Sequence, residues 1–235
     1  ALPIWIKLPF LENHTPEPFV LQNRDCSGKA KQFITNEIKE LLLCDLIEQV
    51  DHTPHCVSPI YCIPKKSSSF RLITDLRWLN TSCAPPKFTN EGIKEVLELI
   101  QPKDKLITLD IKQVFFHIPV HREFRKYLGF QWQNTFFQWK CLPFGLNGSP
   151  YYFYKTIRPI IGYLRQNGLR VVAFVDDFLL MSEPGKMSED YKVLVDTLNN
   201  LGLTINFEKS SVTPSESKEY IGFVLKTDNS DGKVW

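Results

Sequence analysis

Two apolar runs rich in β-branched and aromatic residues, Arg170 to Val175 and Phe178 to Met181, are separated only by Asp176 and Asp177. Runs of this composition extend as strands, and a gap of two residues leaves them little choice but to turn back as an antiparallel hairpin. Asp is common in turns. Hairpin turns that serve folding alone nevertheless favour Asn-Gly or Asp-Gly, which accept positive φ. The sequence therefore places two adjacent carboxylates at the tip of a buried hairpin. One reading is an acidic surface turn; the other is a divalent cation holding two repelling charges together.

A third carboxylate extends the second reading. Lys105 to Asp110 reads as a buried strand that ends in an acid, followed by Ile111-Lys112-Gln113-Val114-Phe115-Phe116. An acid at the mouth of a core strand is costly unless it is paired or binds metal. Carboxylates holding two hard cations about 3.5–4 Å apart clamp the attacking and leaving oxygens in phosphoryl-transferring enzymes. Mg²⁺ in such sites takes one or two carboxylates, water and substrate phosphates.

The remaining pattern places these segments in an α+β fold. Lys29 to Leu43 carries Phe33, Ile34, Ile38, Leu41 and Leu42 at helical spacing. Val57–Ile63 and Phe70–Thr74 read as strands joined by a basic hairpin loop from Lys65 to Ser69. A short amphipathic helix is expected over Glu91 to Ile100, and aromatic strands over Tyr127–Trp132 and Thr135–Trp139. Ser149 as cap and Pro150 at the first position open a helix that runs to about Asn167. Met187 to Leu201 is amphipathic and stops at Gly202. Helices and strands alternate without a strict βαβ rhythm, which points to a largely antiparallel sheet.

The order of these segments resembles the fingers and palm of reverse transcriptases of the retroviral and retrotransposon type. Leu109-Asp110 through Val120, with Glu123 to Tyr127, is similar to the first catalytic block. Leu142-Pro143-Phe144-Gly145 through Pro150 resembles the second, and Phe174-Val175-Asp176-Asp177 the third. Leu201 to Asn206 with Lys209 resembles the fourth; Tyr220-Ile221-Gly222-Phe223 resembles the primer-gripping hairpin. Upstream, Ser58 to Lys66 and Phe70 to Asn80 resemble the fingers hairpin. Six blocks in family order, from about residue 30 to 225, are far more specific than any one of them.

The resemblance implies a right-hand polymerase fold, with a mainly antiparallel palm sheet packed on helices and the thumb absent from this chain. It divides the chain into an N-terminal segment and fingers (1–82), a connection with the first palm strand (83–109), and a palm with catalytic hairpin and primer grip (110–235). It implies RNA-directed DNA polymerase activity, with Mg²⁺ (two ions, Mn²⁺ as substitute), an RNA template, a DNA or RNA primer and deoxynucleoside triphosphates. Asp110, Asp176 and Asp177 become the catalytic metal ligands, joined by the Ile111 carbonyl. Lys65 or Lys66, Arg71, Ile111, Gln113, Val114, Phe115 and Phe144 fall to the nucleotide. Gly145, Ser149, Pro150, Tyr220, Ile221 and Gly222 fall to template and primer, and Lys209 is a candidate general acid. Phe115, five residues after Asp110, would lie under the sugar and collide with a 2′-hydroxyl.

Three departures stand out. Phe144 replaces the Gln of retroviral enzymes, as in retrotransposon enzymes of the long-terminal-repeat and tyrosine-recombinase kinds that read Leu-Pro-Phe-Gly. Gln113-Val114 replaces a common Asp-Ala. The chain ends at Trp235, soon after the primer grip, and carries no sequence for thumb, connection or ribonuclease H. The alternative is a domesticated, non-catalytic module that binds RNA or a protein partner.

Net charge is only +2, but residues 65–126 hold twelve Lys and Arg against seven Asp and Glu, a local excess suited to a phosphate backbone. No run of 18 apolar residues implies a membrane span. The start has no Met and no signal-peptide pattern, as expected of an excised segment. Six cysteines without a Cys-x-x-Cys pair fit a reduced, intracellular protein. His52, His55, Cys56 and Cys62 are too irregularly spaced for a zinc site.

Overall fold

The computed structural model describes residues 5–12, 15–65 and 70–228. In chain order the first elements are β1 (Phe19–Val20), α1 (Gly28–Leu43), β2 (Ile47–Val50), β3 (Cys56–Val57), β4 (Ile60–Pro64), β5 (Phe70–Thr74) and α2 (Arg77–Asn80). They are followed by α3 (Ile93–Leu99), β6 (Lys105–Asp110), α4 (Arg122–Arg125), β7 (Gly129–Trp132) and β8 (Thr135–Trp139). The rest is α5 (Ser149–Gln166), β9 (Arg170–Phe174), β10 (Asp177–Ser182), α6 (Met187–Asn200), β11 (Ser211–Ser215), β12 (Ser217–Tyr220) and β13 (Phe223–Lys226).

These elements form two compact units, neither continuous in sequence. Residues 1–87 and 115–152 make one; residues 88–114 and 153–235 make the other. Residues 115–152 thus cluster with the N-terminal segment, whereas the motif order alone grouped them with everything after 110.

The first unit is built on a five-stranded sheet, β1-β3-β7-β8-β2, with the β4–β5 hairpin separate from it. The pairings of β3 with β1 and β7 are parallel, an exception to the antiparallel expectation. Helix α1 buries Ile34, Ile38 and Leu41 of the expected stripe, while Phe33 is half-buried and Leu42 exposed. The Trp132 indole N–H donates to Thr35 Oγ1 at 3.0 Å and ties β7 to that helix. The single strand expected over Val57–Ile63 is broken at Ser58-Pro59 into β3 and β4, which belong to different sheets. Pro59 has no N–H for a ladder, and its carbonyl instead accepts from Asp75 N–H at 2.8 Å.

The second unit contains a wholly antiparallel sheet, β11-β6-β10-β9. Phe178, Leu179, Leu180 and Met181 are all fully buried, so β10 is covered on both faces. On one face Val96 and Ile100 from the α3 region meet Leu106, Val172, Leu179 and Met181, closed over by Tyr220 and Leu225 of the β12–β13 hairpin. Helix α3 starts later than expected because Gly92 is its cap, with its N–H donating to Glu95 Oε2 at 2.7 Å. Asp104, almost wholly buried, receives both arms of the Arg170 guanidinium, one at 2.7 Å. Buried charge is tolerable when paired in this way.

Ser149 begins α5 but does not cap it through its hydroxyl as expected; buried Ser149 Oγ donates to the Pro143 carbonyl at 3.0 Å. The helix continues through Pro159. No helix among the described residues is long and apolar enough to cross a membrane.

Gly129 sits where β7 meets β3, and a Cβ there would lie 2.4 Å from Pro54 Cβ and 2.7 Å from the Cys56 carbonyl oxygen. Gly129→Ala should therefore destabilise the chain by about 1–3 kcal/mol, the usual cost of overpacking. Urea unfolding checks this, and an unchanged midpoint would contradict the close approach.

Candidate active site

Strand β6 delivers Asp110 to its end because Leu106, Ile107 and Leu109 are buried and hold the strand inside the sheet. The backbone of Asp110 is then fixed from a single segment about 100 residues away. Its N–H donates to Ser210 Oγ at 3.0 Å, and its carbonyl accepts from Asn206 N–H at 2.8 Å. Ser210 Oγ in turn donates to the Asn206 carbonyl at 2.8 Å. Ile111 bridges to Ile205, and Ile111 N–H donates to the Asp176 carbonyl at 2.9 Å. The third-block hairpin is thus tied by its backbone to the strand bearing Asp110.

The hairpin differs from the sequence reading in its turn. Phe174 pairs with Asp177, so the two loop residues are Val175 and Asp176, and Asp177 is the first residue of β10. Val175 has φ +53°, at the first loop position, where a type II′ turn normally puts Gly. A β-branched residue in that region is strained by about 1–3 kcal/mol. The register explains the shift, because β10 pairs with β6 so that Asp177 stands directly opposite Asp110.

This geometry gathers three acids within one unit: Asp110 and Asp177 across a strand pair, and Asp176 on the adjoining turn. Like charges directly opposite in a sheet are destabilising. Burial raises the pKa of half-buried Asp176, and the Asp110 charge adds to the rise. Burial likewise raises that of Asp177, reinforced by Asp176 and Asp110. Lys209 Nζ is 3.8 Å from Asp110 Oδ2 and opposes both shifts, but its side chain is 68% exposed and offsets little.

Among the described residues no three His, Cys, Asp or Glu side chains form a ready-made cage for an ion. The donors nevertheless suit Mg²⁺, which needs hard oxygens, only one or two of them carboxylates, and completes its shell with water and phosphate. Crowded acids with a single exposed lysine beside them are the arrangement that a divalent cation relieves.

Tyr220 is not presented at the surface. It is 3% exposed, and its hydroxyl donates to the Asp177 carbonyl at 3.1 Å, with the Val172 carbonyl at 3.4 Å. Burial and the Asp177 charge push the phenol pKa up, while the Phe174 N–H works against them. The next two residues, Ile221 (φ +44°) and Gly222 (φ +83°), form the two-residue turn between β12 and β13, the type I′ signature.

Other expected site residues of this unit are Gln113, exposed with φ +49°, and Val114, buried like Ile111. In the first unit Phe115 is buried at 8% exposure, and its ring lies 5.0 Å from that of Phe144, which is 44% exposed. Phe116 also meets Phe144, at 5.4 Å. Lys65 and Arg71 are exposed, Arg71 opposite Ile63 in the β4–β5 hairpin; Lys66 lies outside the described residues. Gly145 has φ +96°, and a Cβ there would come within 3.1 Å of the Thr74 carbonyl. Ser149 is buried and Pro150 half-buried at the start of α5.

Sequence reasoning missed Asn80, Asn206 and Ser210. Asn80 Nδ2 donates to the Gly145 carbonyl at 2.8 Å and Asn80 Oδ1 accepts from Asn147 N–H at 3.0 Å, clasping the loop that carries Phe144. Partners 65 or 100 residues apart leave no local pattern to find.

The model of the reverse transcriptase (RNA-dependent DNA polymerase) family matches residues 63–225. The Gag-Pro-Pol polyprotein of squirrel monkey retrovirus is 32% identical over 178 residues, covering 72% of this chain and 9% of the polyprotein. The Pol polyprotein of equine infectious anemia virus (isolate 1369) is 31% identical over 206 residues, covering 82% of the chain and 18% of the polyprotein. The chain therefore spans less than a fifth of the length of these relatives. Among solved structures, a foamy viral protease-reverse transcriptase in complex with double-stranded DNA superimposes with TM-score 0.81 at 21% identity, over 94% of this chain and 38% of that one. The same enzyme in complex with an RNA/DNA hybrid gives 0.77 at 22% identity, over 94% and 29%. These likenesses carry the fold, an α+β fingers and palm. With its family blocks in order across the matched region, the chain belongs to the reverse transcriptase family.

Proposed function

We propose that this chain is the polymerase core of a retroelement reverse transcriptase, extending a primer 3′ end with deoxynucleotides on an RNA template. The observation that carries the reading is the register that sets Asp177 opposite Asp110 with Asp176 on the adjoining turn. Family membership supports reading that trio as the catalytic acids.

In this reading Asp110 and Asp176 hold the divalent cations, with the Ile111 carbonyl and Asp177 as supporting oxygens. The cations would supply charge stabilisation to the attacking 3′-oxygen and to the leaving pyrophosphate. The chain's own groups do the rest by positioning and electrostatics. Lys209, beside Asp110, is the group that would hold a proton for the departing pyrophosphate. Lys65 or Lys66 and Arg71 of the fingers hairpin grip the triphosphate, Arg as a planar fork and Lys as a mobile point charge. Gln113, Val114, Phe115 and Phe144 are assigned to the nucleotide; Gly145, Ser149 and Pro150, with the turn Ile221-Gly222, to template and primer. Buried Tyr220 supports that turn rather than touching a strand directly.

Primer extension on an RNA template with Mg²⁺ or Mn²⁺ tests this reading. Asp176→Asn is expected to lower deoxynucleotide incorporation by at least about a hundredfold, the scale seen when a transition-state charge stabiliser is removed. Incorporation equal to that of the unsubstituted chain would contradict the assignment. Tight template–primer binding without any incorporation by the unsubstituted chain would favour the binding-module alternative.

Phe115→Ala should raise ribonucleotide use relative to deoxynucleotide use by roughly 10–100-fold, the discrimination that a steric contact of this size supplies. An active variant with unchanged sugar preference would remove Phe115 from that role.

The acids also carry a stability prediction. In chelator at neutral pH, Asp177→Asn should raise Tm by about 0.5–4 °C, from relief of roughly 0.2–1 kcal/mol of cross-strand repulsion. A lower Tm, measured by calorimetry, would show that the repulsion is already compensated.

A further inference from the structure

The neighbouring carbonyls of Asp176, on the turn, and Asp177, at the start of β10, are each held by a separate part of the second unit. The Asp176 carbonyl accepts from Ile111 N–H at 2.9 Å. The Asp177 carbonyl accepts from the Tyr220 hydroxyl at 3.1 Å. The second contact is unlike the first, because a side chain makes it and because that side chain belongs to the β12–β13 hairpin. The same hydroxyl is 3.4 Å from the Val172 carbonyl, so it spans both strands of the catalytic hairpin within three residues of the turn.

A hydroxyl in a core is costly unless it is satisfied. The ring of Tyr220 already packs with Val172, Leu179, Met181 and Leu225, and Phe would fill that space equally well. The oxygen is therefore surplus to packing. It reaches the backbone of Asp177, one of the crowded acids, two residues after Val175, whose backbone is strained at φ +53°. Strained turns persist when their surroundings over-determine them, and this contact is one such determinant. On the other side of Tyr220 the chain enters the Ile221-Gly222 turn and the exposed Phe223 and Val224.

We infer that Tyr220 is a positioning residue, whose hydroxyl fixes the catalytic turn in its cation-binding geometry and couples it to the β12–β13 hairpin. The inference rests on the polymerase reading of the same acids. Tyr220 touches neither nucleotide nor metal; it acts through the Asp177 carbonyl. Loss of the hydroxyl leaves the hairpin folded and its turn free to relax, so the acids meet a cation less well while substrates bind as before.

The test compares the unsubstituted chain, Tyr220→Phe and Leu225→Ala by primer extension and by thermal melts titrated with Mn²⁺. Leu225→Ala is the control, since it opens a cavity in the same cluster without touching the turn. Tyr220→Phe should lower kcat about tenfold, the rate equivalent of about 1.4 kcal/mol, with KM for deoxynucleotide and template–primer affinity unchanged. Its Mn²⁺ midpoint for thermal stabilisation should rise about threefold or more, while Leu225→Ala lowers Tm in chelator and leaves the Mn²⁺ midpoint in place. Wild-type kcat and Mn²⁺ midpoint in Tyr220→Phe would overturn the inference alone. Equal shifts of both quantities in Leu225→Ala would also overturn it, by reducing Tyr220 to a core residue. An unsubstituted chain that neither extends primer nor gains stability from Mn²⁺ would overturn both this inference and the polymerase reading beneath it.

Discussion

Repulsion among Asp110, Asp176 and Asp177 is the constraint that the second unit is organised to withstand. Raised pKa values at Asp176 and Asp177 mean that the folded chain holds these acids charged less willingly than water would. Something must keep them together, and it is backbone. The β6–β10 pairing fixes Asp177 against Asp110, and Ile111 N–H grips the Asp176 carbonyl. Asn206 and Ser210 pin both sides of the Asp110 peptide. Beneath them, Phe178 to Met181 are buried on both faces, so the hairpin has no room to swing away. Stability is thus given up locally where the negative charge is concentrated.

Two hairpin turns share an unusual feature. Val175 and Ile221 are both β-branched and both adopt positive φ, where Gly or Asn would be easier. The first turn bears the acids and the second follows Tyr220, whose hydroxyl reaches back to the first hairpin. Strain at one such position is common at functional sites. Here the two positions are joined through a single buried phenol.

Much of this was legible in the sequence, and the rest fails for identifiable reasons. The strands carrying the acids were readable because Lys105–Asp110 and Arg170–Met181 are apolar runs of strand length. Helix α1 followed from its stripe. Register was not readable, since a carboxylate pattern does not say which residue of β10 faces Asp110. The sequence accordingly points to a turn at Asp176-Asp177 rather than Val175-Asp176, because Val at positive φ contradicts local preference. The resemblance gives Tyr220 to template and primer by position, and packing draws its side chain inward. Asn206, Ser210 and Asn80 act through hydrogen bonds to distant backbone, which composition and periodicity cannot reveal. Phe144 likewise acts through a partner that lies about 30 residues away in sequence, its ring meeting that of Phe115 at 5.0 Å.

Anomalous scattering from crystals of this chain grown with Mn²⁺ would locate any cation held by the acid cluster. A peak is expected within about 2.0–2.2 Å of carboxylate oxygens from both Asp110 and Asp176, the distance of a small octahedral cation. A peak held by other residues, or none at saturating Mn²⁺ with nucleotide present, would contradict the reading of these acids as a cation site.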